Sequence, residues 1–301
     1  MAFDSLETPF GKAERVVGGA ATYIGLAASY FTDQIALVSV VGGDFPEETL
    51  RDLASRGIDL TGVEIRQDEK SFYWAGRYHI DMNTRDTLET QLNVLADFNP
   101  TVPEKALHAP FLMLGNLTPA IQLQVLNQMG DNPKLIVLDT MNYWIESSMD
   151  ELREVLARID VLSINDEEAR QLSGEYSLLR AARKIQAMGP RYLVIKKGEH
   201  GALLFSSSEV FFAPALPLEE VFDPTGAGDT FAGGFIGYLA ATGDISFENM
   251  KRAIIYGSAM ASFCVEKFGV QRLLELTTEE IDERVQHFID LTQVEIDLQA
   301  G

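Results

Sequence analysis

Residues 221–237 read VFDPTGAGDTFAGGFIG, five glycines in seventeen residues with Asp223 and Asp229 six positions apart. A glycine inside a helix or strand costs roughly 0.5–1 kcal/mol against alanine, so this density needs a use. Gly226, Ala227 and Gly228 carry little or no side chain and stand where the pattern turns helical. The first amides of a helix have no partner within it, and the helix dipole favours negative charge at that end. This turn, entered through Asp223 and Thr225, therefore suits a phosphate. Asp229 falls in the first helical turn beside it. A carboxylate there complements the dipole, but next to a polyanion its distinctive use is to take a proton. The pairing points to phosphoryl transfer, in which Asp229 deprotonates an acceptor hydroxyl while the amides of Gly226, Ala227 and Gly228 hold charge on the transferring oxygens. Gly233, Gly234 and Gly237 let the helix pack closely. The chain has no Walker string of Gly, four residues and Gly-Lys-Ser/Thr, and no Gly-x-Gly-x-x-Gly after a strand.

Outward from this stretch, strands and helices alternate. IALVSVVGGD (35–44) is an apolar run ending in glycines, and PEETLRDLASRG (46–57) places Pro at a helix start and Gly at its stop. The pattern returns in FLMLGN with TPAIQLQVLNQMG, in KLIVLDT with YWIESSMDELREVLARI, and in VLSIN with DEEARQLSG. RYLVIKKGEHGALLF reads as strand, turn and strand, SEVFFAPA as a short strand, and the chain from 226 onward as helices. GVEIRQ, SFYWAGRYHID and DTLETQLNVLADF, rich in β-branched and aromatic residues, predict two to four antiparallel strands over about 63–97. The expected fold is one α/β domain over 1–301, three layers with a mainly parallel central sheet, and a small separate β-sheet over about 63–97. In such sheets ligands sit beyond the carboxyl ends of the strands, which directs attention to Asp44, Asp139, Asn142, Asn165, Lys196 and Gly198.

The formal net charge is −21, from 45 acidic and 24 basic residues, and this field disfavours nucleic acid as a partner. Acid is dispersed along the chain, as in an ordinary acidic protein or in a surface adapted to high salt. The single cysteine, Cys264, makes no internal disulfide and sits in a helix interior. No basic leader precedes an apolar core, and no run reaches the roughly 18 apolar residues of a membrane span, so the expected location is cytoplasmic with no membrane partner.

DPTGAGDTFAGGFI resembles the C-terminal signature of the PfkB carbohydrate kinase family, the ribokinase-like sugar and nucleoside kinases. GGAATY (18–23), VGGDFPEETLRDLASRGID (41–59), NDEE (165–168) and KKGEHGA (196–202) resemble further family marks, in order along nearly the whole chain. The resemblance implies an ATP-dependent kinase with Mg²⁺ held through water by Asn165 and Glu168, for which a helix N-cap is the plain alternative. It implies donor contacts at Lys196, Gly198 and Thr225, with Gly257, Ala261 and Gly269 bordering the adenine. Asp223 resembles the position where some members hold a monovalent cation, K⁺. Asp4, Gly18, Gly19 and Asp44 resemble the acceptor side, where one carboxylate accepts two hydroxyls of a polyol. Asp139 and Asn142 are further acceptor candidates. Tyr23 replaces the family asparagine, which questions ribose as the acceptor. With only three residues before Asp4, the usual first strand is expected to be short. Phe72, Tyr73, Trp74 and Tyr78 of the lid line an acceptor pocket, pair two subunits into a homodimer, or simply pack. Arg77 reads first as a surface residue, with the phosphate of a sugar phosphate as the alternative. The acceptor is a sugar, sugar phosphate or nucleoside. The alternatives are a non-catalytic nucleotide or sugar sensor and a kinase of a vitamin-like hydroxymethyl compound.

Overall fold

The apolar runs LIVLD, VLSIN and YLVIK become buried strands, and FLML, LIVLD and VLSIN are each followed by an α-helix. In a computed structural model, described over residues 1–293, the strands are β1 (Ala2–Thr8), β2 (Gly11–Gly18), β3 (Ile35–Gly42), β4 (Ile58–Arg66), β5 (Tyr73–Tyr78), β6 (Arg85–Gln91), β7 (Phe111–Leu114), β8 (Leu135–Asp139), β9 (Val161–Asn165), β10 (Tyr192–Lys196), β11 (Ala202–Phe205) and β12 (Val210–Ala213). The helices are α1 (Ala20–Ala28), α2 (Glu47–Ser55), α3 (Pro119–Met129), α4 (Asn142–Ser147), α5 (Met149–Leu156), α6 (Asp166–Ser173), α7 (Leu178–Gln186), α8 (Ala227–Thr242), α9 (Phe247–Cys264), α10 (Gln271–Glu275) and α11 (Thr278–Thr292). None of the described helices is long and apolar enough to cross a membrane.

The central sheet has the order β12-β11-β10-β9-β8-β7, with β7 to β10 parallel and β11 and β12 antiparallel at one side. Strand alternation divides its side chains between two cores. Ile136, Leu138, Leu162, Ile164, Leu193 and Ile195 face α3, α5, α6 and α7. Leu135, Val137, Val161 and Val194 face α8 and α9. This is the expected three-layer α/β/α arrangement. Local chemistry sets the helix starts: Thr118 caps α3 with Pro119 following, and Thr277 and Glu280 form a capping box at α11.

The lid departs from the sequence expectation. Its four strands run β2-β1-β5-β6, so half of it comes from the N-terminal residues, and β1 is a full seven-residue strand. The residues GVEIR (62–66) belong instead to β4, which pairs parallel with β3. Alternation identifies a strand but not its partner, and the pairing of β1 with β5 brings Phe3 beside Tyr73, far apart in sequence. Two other differences are local. The expected helix 143–159 breaks at Ser148, and α7, which the sequence reading leaves unassigned, starts behind Ser177.

Helix α8 is clamped between α1 and α9. A Cβ at Gly233 would lie 2.5 Å from the Ile24 carbonyl oxygen, and one at Gly237 would lie 2.8 Å from the Ala28 Cα. Side chains there would push backbone against backbone. Gly233→Val is therefore expected to destabilise the fold by roughly 1–3 kcal/mol or more, read as a lower urea midpoint at an unchanged slope. An unchanged midpoint would show that the two helices can separate at little cost.

Candidate functional site

Three parallel strands end side by side in polar residues. Asp139 of β8 is level with Ser163 of β9, and Asn165 of β9 is level with Lys196 of β10. The Lys196 Nζ donates to Asp139 Oδ1 at 2.8 Å, both side chains being largely buried. Burial alone would lower the Lys196 ammonium, but Asp139 and Glu168 beside it hold it above the ordinary lysine value.

The glycine turn comes to this ammonium from the next layer. Gly226 takes the left-handed conformation, φ 76°, directly against the Tyr23 ring, where a Cβ would lie 2.4 Å from ring carbons. A Cβ at Gly228 would stand 3.1 Å from the Lys196 Nζ. The Ala227 amide donates to the Pro224 carbonyl at 3.2 Å, a change from the expectation of three free amides. Among the described residues the amides of Gly226, Gly228 and Asp229 meet no acceptor. Asp229 stands in the first turn of α8, and its Oδ1 is buried without a hydrogen-bond partner. Burial, then Asp139, push its carboxyl up to about 7 against the pull of Lys196.

Glu168 is raised to about 7 as well, by burial first, with Lys196 opposing and Asp139 adding to it. Its Oε2 accepts the Asn165 amide at 2.8 Å while Asn165 Oδ1 accepts the Glu168 amide at 2.7 Å. The helix-cap reading is thus met in full, and Asn165 Oδ1 is committed to it. Asp4, 5% exposed on β1, is raised to about 7 by burial and by Asp223. A Cβ at Gly18 would lie 2.0 Å from Asp4 Oδ2, and the Gly19 amide draws the Asp4 carboxyl down. Asp4, Gly18 and Gly19 are therefore brought together.

Other candidates lie elsewhere. Tyr23 is 1% exposed, its hydroxyl buried without a partner beneath the glycine turn, so it lines no open pocket. Asp44 is spent on Ser71, whose amide and hydroxyl it accepts at 2.7 and 2.8 Å, and on Arg15 at 3.0 Å. Asn142 is exposed at the start of α4 and accepts the Tyr143 amide. Asp223 is fully buried, and its two oxygens accept the amides of Thr225 and Gly269, both at 2.9 Å. Gly269 thus serves the turn, while Gly257 packs under the Phe231 carbonyl and Ala261 joins the core beside α8. Thr225 donates its hydroxyl to Tyr78 at 3.0 Å, and Gly198 faces Asn83 at the tip of the lid hairpin. Asn83, and Arg85 two residues on, are not singled out by the sequence, where they stand in a polar stretch between two strands' worth of aromatic and β-branched residues. Cys264 is buried, its thiol pushed up to about 12 by burial.

Comparison with known proteins gives the family of the chain. Residues 4–277 match the pfkB family carbohydrate kinase description. The chain is 33% identical to a cytidine kinase of Thermococcus kodakarensis over 241 residues, 78% of this chain and 84% of the relative. The nucleoside kinase of Methanocaldococcus jannaschii superposes with a TM-score of 0.75 at 20% identity, covering 95% of each chain. A protein described as ribokinase II from E. coli, solved with ATP and Mg²⁺, superposes at 0.76 with 21% identity, covering 94% of this chain and 96% of the other. With a match running from Asp4 on the first strand to Thr277 at the cap of the last helix, and a relative aligned over most of its length, this chain belongs to the pfkB family of carbohydrate kinases.

Proposed function

We propose that the protein transfers the γ-phosphate of ATP to a hydroxyl of a nucleoside, with Asp229 as the general base. The observation that carries this is the buried, unpartnered Asp229 Oδ1 beside bare amides and the Lys196 ammonium. A nucleoside is favoured over a free sugar by the cytidine kinase and nucleoside kinase named above.

Bound ATP supplies the phosphoryl group and ADP as its leaving group. The Asp229 Oδ1 accepts the proton of the acceptor hydroxyl, whose oxygen then forms the new bond to phosphorus as the bond to ADP breaks. The Gly228 and Gly226 amides and the Lys196 ammonium hold the anionic oxygens, and a carboxyl at about 7 is near the best value for a base at neutral pH. The Asp4 carboxylate, backed by Gly18 and Gly19, accepts ribose hydroxyls. A magnesium ion fits through Glu168, whose Oε1 is outside the capping box and whose burial beside Asp139 favours a bound cation.

ADP release measured with ATP, Mg²⁺ and a panel of nucleosides and sugars tests the reading, and turnover with sugars alone would reassign the acceptor. Asp229→Asn is expected to lower kcat roughly a hundredfold or more while ADP binds as before. In the wild type kcat/KM rises with pH through about 7 as Asp229 ionises. A flat profile from pH 5 to 8 would remove Asp229 from the role of base.

The buried carboxyls also cost stability. Asp4 moves from 3.8 to about 7 on folding, so between those values the folded state keeps a proton that the unfolded chain has released. Stability from this group accordingly falls as pH rises through the window, and the deficit is complete above about 7. Asp4→Asn should match the wild-type thermal midpoint near pH 4 and exceed it by roughly a few degrees at pH 8. An equal or lower midpoint at pH 8 would contradict the burial argument.

A further inference from the structure

The loop after β7 carries an amide whose two ends are fixed. Asn116 follows Gly115 at the carboxyl end of β7, where ligands of a parallel sheet collect, and it is partly exposed. Its Oδ1 accepts from the Trp144 Nε1 at 2.9 Å, and its Nδ2 donates to the Met141 Sδ at 3.1 Å. An indole N–H only donates and a thioether only accepts, so the amide cannot be turned over without losing both contacts. Each end keeps something in reserve, a second lone pair on Oδ1 and a second hydrogen on Nδ2. The side chain therefore offers one acceptor and one donor in a set order.

Its position joins it to the acceptor side. A Cβ on Gly115 would lie 3.3 Å from the Ala20 Cβ at the start of α1, and Gly19, the N-cap of that helix, is the residue whose amide draws the Asp4 carboxyl down. From the other side, Gln122 Nε2 donates to the Gly115 carbonyl at 2.9 Å and to the Asp139 carbonyl at 3.5 Å. The loop is thus tied both to the helix start that backs Asp4 and to the end of β8.

We propose that Asn116 is a specificity-determining residue of the acceptor site. It selects nucleosides whose base carries a ring nitrogen beside an amino group, as in cytosine and adenine, over the lactam bases uracil and hypoxanthine. The inference rests on the nucleoside reading above. Against an amino base, Nδ2 donates to the ring nitrogen and Oδ1 accepts from the amino group. A lactam presents the reverse order, a ring N–H beside a carbonyl, so an amide of set order separates the two classes. The surroundings decide between them. Asp4 is a carboxyl, and Gln122 Oε1 is a buried acceptor without a donor, so the potential about the loop favours the edge that carries the amino group. Trp144 is the positioning residue, because its indole holds the amide in that order.

The test measures kcat/KM with ATP and Mg²⁺ for two pairs that differ only in amino against oxo, cytidine with uridine and adenosine with inosine. In each pair that the wild type phosphorylates, the amino member should be favoured roughly tenfold or more. Trp144→Phe keeps an aromatic ring but loses the donor, and the preference should fall to within about threefold while kcat on the amino member stays within about fivefold. Asn116→Ala should remove the preference by raising KM for the amino member roughly tenfold. Tyr143→Phe, whose ring packs edge-on to Trp144 at 4.8 Å, is the control and should keep the wild-type preference. Equal use of both members by the wild type, preference for the lactam, or a preference that survives both Trp144→Phe and Asn116→Ala overturns the proposal and leaves the nucleoside reading standing. ADP formed with sugars only, or with no acceptor, overturns that reading and takes this inference with it.

Discussion

The Lys196–Asp139 pair is the fixed point of the site, because it places a cation among carboxyls that would otherwise repel one another. Asp139, Glu168 and Asp229 all act on Lys196, and the latter two are pushed up to about 7 by burial and by the charge of Asp139. A phosphate brings more negative charge into the same space. One ammonium and a few amides offset only part of it in a medium where unpaired charge is expensive. An anion that arrives with cations of its own, or meets them there, would relieve this excess. The acid that seems ill-placed for a polyanion is what a metal-bound polyanion needs.

The glycine turn can serve this cluster only if it stays put. Its underside is the buried ring of Tyr23, which leaves no room for a side chain at Gly226. Its entry is tied by Asp223, which bonds the Thr225 amide on one side and the Gly269 amide after α9 on the other. Behind it α8 lies in near backbone contact with α1 and α9. Each contact removes a way for the amides to move before a ligand arrives, and such preorganisation is what makes an oxyanion-type site effective. The glycines of 221–237 thus do two separate jobs, some baring amides and others locking the helix that carries them.

These two jobs were unequally legible in the sequence. The apolar runs ending in Asp139, Asn165 and Lys196 are continuous enough to name both the strands and the ends where ligands collect. The glycine turn is local, and its residues declare its geometry. Asp44, Asn142 and Tyr23 stand in similar loops or family positions, yet they are claimed by Ser71 and Arg15, by solvent, and by the core respectively. Those outcomes depend on partners distant in sequence, which a pattern along one segment does not encode. The same limit explains the lid, whose first two strands lie in the N-terminal residues.

That lid pairing has a mechanical consequence. Asp4 lies on β1, level with Trp74 on β5, and four residues beyond Trp74 stands Tyr78, whose hydroxyl receives the Thr225 hydrogen bond. Asp4 and the residue touching the glycine turn are therefore carried on adjacent, hydrogen-bonded strands of one sheet. A lid attached by a loop could open without disturbing the acceptor site. Here β5 is hydrogen-bonded to β1, so a displacement of β5 that keeps the ladder intact carries Asp4 with it. Acceptor binding at Asp4, as proposed, and contact at the glycine turn would then be coupled through the sheet itself.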